Sequence, residues 1–167
     1  YLLEVLTTLG FIARWRDWIT LLLATSSSAF LLNGSPGAKI LHPQGLRQGD
    51  PLSPILFNIA IDSIHRLLKA AEDALEIMPV LGREIKLRVS LYADDAIIFA
   101  NPDKEEIDHL MCILQSLSDA SGLRINLAKS TATPIRCNNI NLDLVLHAFH
   151  DPIAHFPIKY LGLPLTT

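Results

Sequence analysis

The chain has 167 residues, half of them apolar and 19% charged, with a net charge of −3. That length and apolar content fit one folded domain with a sizeable core and exclude a disordered chain. The acidic balance excludes a global basic footprint for nucleic acid, so such a partner needs a local basic surface. Cys112 and Cys137 are the two cysteines, which excludes a disulfide framework and fits a reducing compartment. No apolar run approaches the ~20 residues of a membrane span, and no signal-peptide pattern is visible.

In chain order, "YLLEVLTTLGF" reads as the tail of a helix closed by Gly10. Residues 13–27, "ARWRDWITLLLATSS", carry apolar side chains at helical spacing. "SAFLLNGSPGAKILHP" reads as a hairpin with "NGSPG" as its turn. A Gly- and Pro-rich loop, "QGLRQGDPLSP", leads into a predicted helix over 50–73, with Asp50 as N-cap and Pro51 at the first helical position. "IMPVLGREIKLRVSLYADDAIIFAN" alternates: Ile85, Leu87, Val89, Leu91 and Ala93 face the core, and Lys86, Arg88, Ser90, Tyr92 and Asp94 face away. Residues 103–122 form an amphipathic helix with an acidic first turn and Gly122 after its end. "LRINLAKSTATPI" reads as a short strand and turn, 140–150 as a short helix, and "FPIKYLGLPL" as a closing strand or hairpin. The order of elements predicts an α+β fold: an antiparallel sheet with helices packed on one face. Starting without Met inside a helical pattern and ending at "GLPLTT", the chain is read as a segment of something longer.

Asp94 and Asp95 stand where a tight turn belongs. Two-residue hairpin turns favour Asn-Gly or Asp-Gly, because both positions take positive φ. Asp-Asp is poorly suited to that geometry, and the adjacent charges repel. Two readings stay open at this point. One is a solvated turn in which two aspartates are tolerated. The other is a divalent-metal site, since Mg²⁺ prefers carboxylate oxygens and two such ions can clamp the attacking and leaving oxygens of a phosphoryl transfer. The second needs a further carboxylate from another element, because adjacent strand side chains diverge.

The surrounding residues sharpen the choice. "YADD" between two strands resembles motif C, the catalytic hairpin of reverse transcriptases. Upstream, "GLRQGDPLSPILFNIAID" resembles the motif B loop and helix of the non-LTR (LINE-type) retrotransposon and group II intron class, and the closeness of the motifs favours a LINE-type element over an intron maturase. Downstream, "SGLRINLAKS" resembles motif D and "FPIKYLGLPL" resembles motif E. Four motifs in order cover most of the chain. The family pattern QGxxxSP falls on Gln48, Gly49, Ser53 and Pro54, since of the two Gln-Gly pairs only the second has Ser-Pro at the right distance.

The resemblance implies an incomplete polymerase palm, a single partial domain over 1–167 with 151–167 approaching the thumb. It implies RNA-directed DNA synthesis assisted by two Mg²⁺ ions: nucleotide transfer from a dNTP to a DNA primer 3′-OH on an RNA template. Asp94 would bind both metals and Asp95 would be a weaker supporting carboxylate. Tyr92 and Ala93 would lie beside the primer end. Gln48 and Gly49 would line the nucleotide pocket, and Arg47 would contact phosphate or template. Ser53 and Pro54 would shape the helix start. Lys129 would stand near the triphosphate leaving group, where a lysine neutralises developing charge or donates a proton. Arg47, Lys86, Arg88, Arg124 and Lys129 would contribute a local positive field. An intracellular location, nuclear or cytoplasmic, follows from the same resemblance, with no membrane partner.

The family's other metal-binding aspartate, in motif A, has no counterpart here: no Asp precedes Asp17, which sits mid-helix. The chain alone is therefore expected to be inactive, and the alternative reading is a non-catalytic palm remnant with a structural or binding role. His147, His150 and His155 with Cys137 match no zinc-binding spacing. Arg14, Trp15, Arg16 and Trp18 read as a helix that buries aromatics and exposes arginines rather than as a nucleic-acid stacking platform.

Overall fold

The first helix, α1 (Leu2–Thr8), ends as Gly10 predicts. Gly10 takes a φ of 81° and its N–H bonds Thr7 O, while Phe11 N–H bonds Leu6 O, the pair of bonds that closes a helix through a left-handed residue. In the computed structural model the described residues are 1–80, 87–149 and 153–166. They form two compact units, Tyr1–Ser63 and Ile64–Thr167.

In the first unit, α1 packs on α2 (Ala13–Ala24) and on α3 (Ser53–Ile61). Leu6, Ile19 and Leu56 make the core, one from each helix, with Leu2, Phe11, Trp15 and Ile59 packed around them. Tyr1 Oη donates to Ala60 O at 2.9 Å, pinning the start of α1 to α3. Leu6 is fully buried, so Leu6→Ala should cost about 2–5 kcal/mol of stability through lost burial and a residual cavity. Urea unfolding of the two proteins measures it.

The helix expected over 50–73 is two. It breaks at Asp62 into α3 and α4 (Ser63–Asp73). Asp50 does not cap the helix. Its Oδ1 accepts from Leu52 N–H at 2.9 Å and holds a turn over 50–52, so the helix starts three residues later with Pro54 in its first turn. On α4, Ile64, Leu68 and Ala71 are buried at helical spacing.

The hairpin region of the first unit is built as two short ribbons. β1 (Ser27–Ser28) pairs β4 (Ile40–Leu41), and β2 (Leu31–Leu32) pairs β3 (Ser35–Pro36). Its turn is tighter than "NGSPG": Asn33 and Gly34 alone turn the chain, with φ of 50° and 80°, the geometry that Asn-Gly favours. Phe30, Leu31 and Leu32 at this end stay exposed.

The second unit carries β5 (Val89–Tyr92) antiparallel to β6 (Asp95–Ile98), then α5 (Lys104–Ser121), a single 3-10 turn at Leu127–Lys129, α6 (Leu142–Val145), and β7 (Ile158–Tyr160) antiparallel to β8 (Leu163–Leu165). The limits of α5 follow its sequence: Asp103 Oδ1 caps Glu106 N–H at 3.0 Å, and Gly122 closes it at a φ of 76°. "LRINLAKSTATPI" holds the 3-10 turn and an isolated bridge, Ala132 to Ile153, rather than a strand. Leu161 and Gly162, at φ of 49° and 83°, turn the β7–β8 hairpin.

The fold is α+β. Among the described residues its strands form four separate two-stranded antiparallel ribbons instead of one wider sheet. The expected strand positions Ile85 and Lys86, His150, and the first two residues of the segment 151–167 lie outside the described residues. No helix of the described residues is long and apolar enough to cross a membrane.

Candidate active site

The β5–β6 hairpin pairs Val89 with Ile98, Ser90 with Ile97, Leu91 with Ala96 and Tyr92 with Asp95. That register corrects the sequence reading of its turn. The two central residues are Ala93 and Asp94, while Asp95 already belongs to β6. Ala93 carries the positive φ, at 51°, so the left-handed conformation falls on a residue with a Cβ. Replacing Ala93 by Gly should relieve this strain and raise stability by up to about 1 kcal/mol after the added chain entropy of glycine is subtracted. Thermal unfolding of the variant gives the sign.

Tyr92, Ala93, Asp94 and Asp95 are thus brought together at one exposed tip. Neither carboxylate has a hydrogen-bond or ion-pair partner among the described residues. As hard oxygen donors on neighbouring positions, they fit a hard divalent cation in kind. They do not fill its shell: no group of three or more His, Cys, Asp or Glu stands together among the described residues. Two carboxylates alone offer only part of the oxygen shell such a cation takes.

Arg47, Gln48 and Gly49 lie on one exposed loop of the first unit. Gly49 takes a φ of 89°, and a Cβ there would meet nothing within 4 Å. The glycine therefore serves its own backbone turn and leaves open space beside the chain. Arg47 Nη2 lies 3.7 Å from Asp50 Oδ2, a half-exposed pair. Both residues edge a cleft walled by Leu22, Leu46 and Leu56, into which Ser26 contributes a buried hydroxyl without a partner among the described residues. Ser53 lines the same cleft, and Pro54 is exposed in the first turn of α3.

Lys129 ends the 3-10 turn in the second unit, on a different element from the hairpin, with its side chain exposed. Arg124 is exposed as well. Arg88 is not. It was expected on the outward face of β5 but is 8% exposed, with Nη1 donating to Glu106 Oε1 at 2.8 Å. Its charge is neutralised inside the unit, so it adds nothing to a positive field at the surface. The aromatic pair near the start of α2 also divides: Trp15 stacks on Phe11 with ring centroids 4.7 Å apart, whereas Trp18 is 53% exposed under Arg14, 5.0 Å above its ring.

The sequence reading missed Glu106 and Asn101 altogether. Glu106 passed as one of several acids in an acidic first turn, though its place three residues after a capping Asp is a recognisable pattern.

Comparison with known proteins agrees with the family resemblance read from the motifs. The family model for reverse transcriptase (RNA-dependent DNA polymerase) matches residues 1–165. The chain is 28% identical over 167 residues to the transposon TX1 uncharacterized 149 kDa protein of Xenopus laevis, covering 99% of this chain and 12% of that protein. It is 28% identical over 170 residues to a Pol polyprotein from the type-1 retrotransposable element R2 of Popillia japonica, covering 95% and 23%. It is 37% identical over 146 residues to the Pol polyprotein from the type-2 element R2DM of Drosophila melanogaster, covering 80% and 13%. The chain therefore spans less than a quarter of the length of each of these relatives.

Proposed function

The chain belongs to the reverse transcriptase (RNA-dependent DNA polymerase) family, as a domain of the non-LTR retrotransposon type, and from that premise we propose that it carries part of a two-metal nucleotidyl-transfer centre. The family is one of divalent-metal-dependent polymerases acting on a template and primer. The finer reading is transfer of a nucleotide from a dNTP to a DNA primer 3′-OH on an RNA template. The bond formed joins the primer oxygen to the α-phosphorus, and the bond broken is that from the α-phosphorus to the bridging oxygen of pyrophosphate.

The observation that carries the proposal is the hairpin tip: two adjacent carboxylates, exposed and without partners among the described residues, on a turn whose strained residue is Ala93. A turn selected for stability alone would shed both the repulsion and the strain, whereas strained backbone persists where function requires it. Asp94 and Asp95 would hold Mg²⁺, which when bound neutralises charge on the reacting phosphate oxygens. Tyr92 and Ala93 would border the primer terminus. Gln48 and the open backbone at Gly49 would border the incoming nucleotide. Arg47 would exchange Asp50 for a phosphate or the template, a change made easy because a half-exposed pair contributes at most about 1 kcal/mol. Lys129, exposed at the end of its 3-10 turn, would offer an ammonium to the departing pyrophosphate.

Two carboxylates leave two ions under-ligated. The 167-residue polypeptide by itself is therefore expected not to extend a primed RNA template with Mg²⁺ and dNTPs. Extension above the level of its Asp94→Asn variant would overturn this.

A further inference from the structure

We infer that Glu106, Arg88 and Asn101 are positioning residues: one buried carboxylate holds both open ends of the β5–β6 hairpin and so sets where its tip stands relative to α5. The functional meaning rests on the reading of Asp94 given above. Glu106 is 5% exposed and accepts four hydrogen bonds from the described residues. Its Oε1 takes Arg88 Nη1 at 2.8 Å and Asn101 N–H at 2.9 Å. Its Oε2 takes Asn101 Nδ2 at 2.9 Å and Met78 N–H at 3.2 Å. Arg88 directly precedes β5 and Asn101 follows β6, and between them Phe99 N–H bonds Arg88 O at 2.8 Å. Both strands are thus tied at the base to one oxygen.

The tie extends outward. Arg88 Nη2 donates to Met78 O and stands 3.6 Å from Glu72 Oε1 on α4. Asn101 Nδ2 also donates to Met78 O and Pro79 O at 3.1 and 3.2 Å. Glu106 occupies the third position of α5, but its side chain does not return to the helix cap. Asp103 N–H bonds Asn101 O instead, leaving the carboxylate for the hairpin base.

Position matters because β5 and β6 pair only with each other among the described residues. A lone two-stranded ribbon has no neighbouring strand to orient it. Directional hydrogen bonds at its base take that role, where apolar contacts would allow repacking. A displacement of about 1 Å at a reacting group is enough to lose rate.

The test uses the isotope-labelled 167-residue chain and the double variant Arg88→Met/Glu106→Leu, which keeps the volume and removes the polar tie. In the wild type, residual dipolar couplings of the hairpin and α5 amides should fit one alignment tensor. In the double variant, cross-strand contacts between Val89 and Ile98 should persist while the hairpin leaves the tensor of α5, with its order falling about twofold. A common tensor retained in the double variant would overturn the inference. Should the double variant not fold, Glu106→Gln is read by the same couplings and the same two outcomes decide. Mn²⁺ added to the wild type reports the underlying reading separately. Broadening at Asp94 and Asp95 that weakens in the variant supports both, whereas no broadening in the wild type together with a lost common tensor removes the metal reading and leaves the positioning role standing.

Discussion

Asp94→Asn should abolish nucleotide incorporation when this chain replaces the matching segment of an R2 Pol polyprotein. A ligand carboxylate contributes several kcal/mol of transition-state charge stabilisation through its metal. At about 1.4 kcal/mol per factor of ten, the expected loss in kcat is about a thousandfold or more. Asp95→Asn should cost much less, since Asp95 lies in β6 and diverges from its neighbour on the turn. The same Asp94→Asn change removes a like-charge repulsion at an exposed tip, so the unfolding midpoint should stay the same or rise. Activity lost together with stability would point to a structural carboxylate.

Glu106→Ala should have the largest effect on stability. Among the described residues, the substitution leaves the Arg88 guanidinium, 7% exposed in its side chain, buried opposite no carboxylate except Glu72 at 3.6 Å. It also frees Asn101 N–H and Met78 N–H from their acceptor. Breaking a buried pair from one side costs about 3–5 kcal/mol, a large part of the ~5–15 kcal/mol that holds a typical domain together. Urea unfolding measures it. Removing both charges with apolar replacements should recover most of the loss, because the penalty comes from stranding one charge more than from losing the pair. A change below about 1 kcal/mol for Glu106→Ala, the range of an exposed ion pair, would contradict the buried network.

Local signals read well where a glycine ends a helix. Gly10 and Gly122 closed their helices as expected, each in the left-handed conformation that glycine takes without steric cost, whereas Asp50, expected as a cap, holds a turn instead, and the turn expected over "NGSPG" narrows to Asn33-Gly34. The family and the α+β class were legible because four motifs stand in order along the chain and the family model spans residues 1–165. What was not legible depends on contacts distant in sequence. Strand alternation sends every second polar residue outward, yet Arg88 is drawn inward by Glu106, eighteen positions away. The continuous apolar pattern over 50–73 contained no signal for the break at Asp62. "YADD" marked the tip but not its register, and one residue of shift moved the strain from the aspartates to Ala93.

The claim that Asp94 is a metal-binding carboxylate is tested most directly by Mn²⁺ titration of the grafted polypeptide on a primer–template, read by electron paramagnetic resonance. The wild-type sequence should bind Mn²⁺ about tenfold or more tightly than Asp94→Asn, one decade corresponding to about 1.4 kcal/mol of lost coordination. Identical isotherms for the two folded proteins would contradict it.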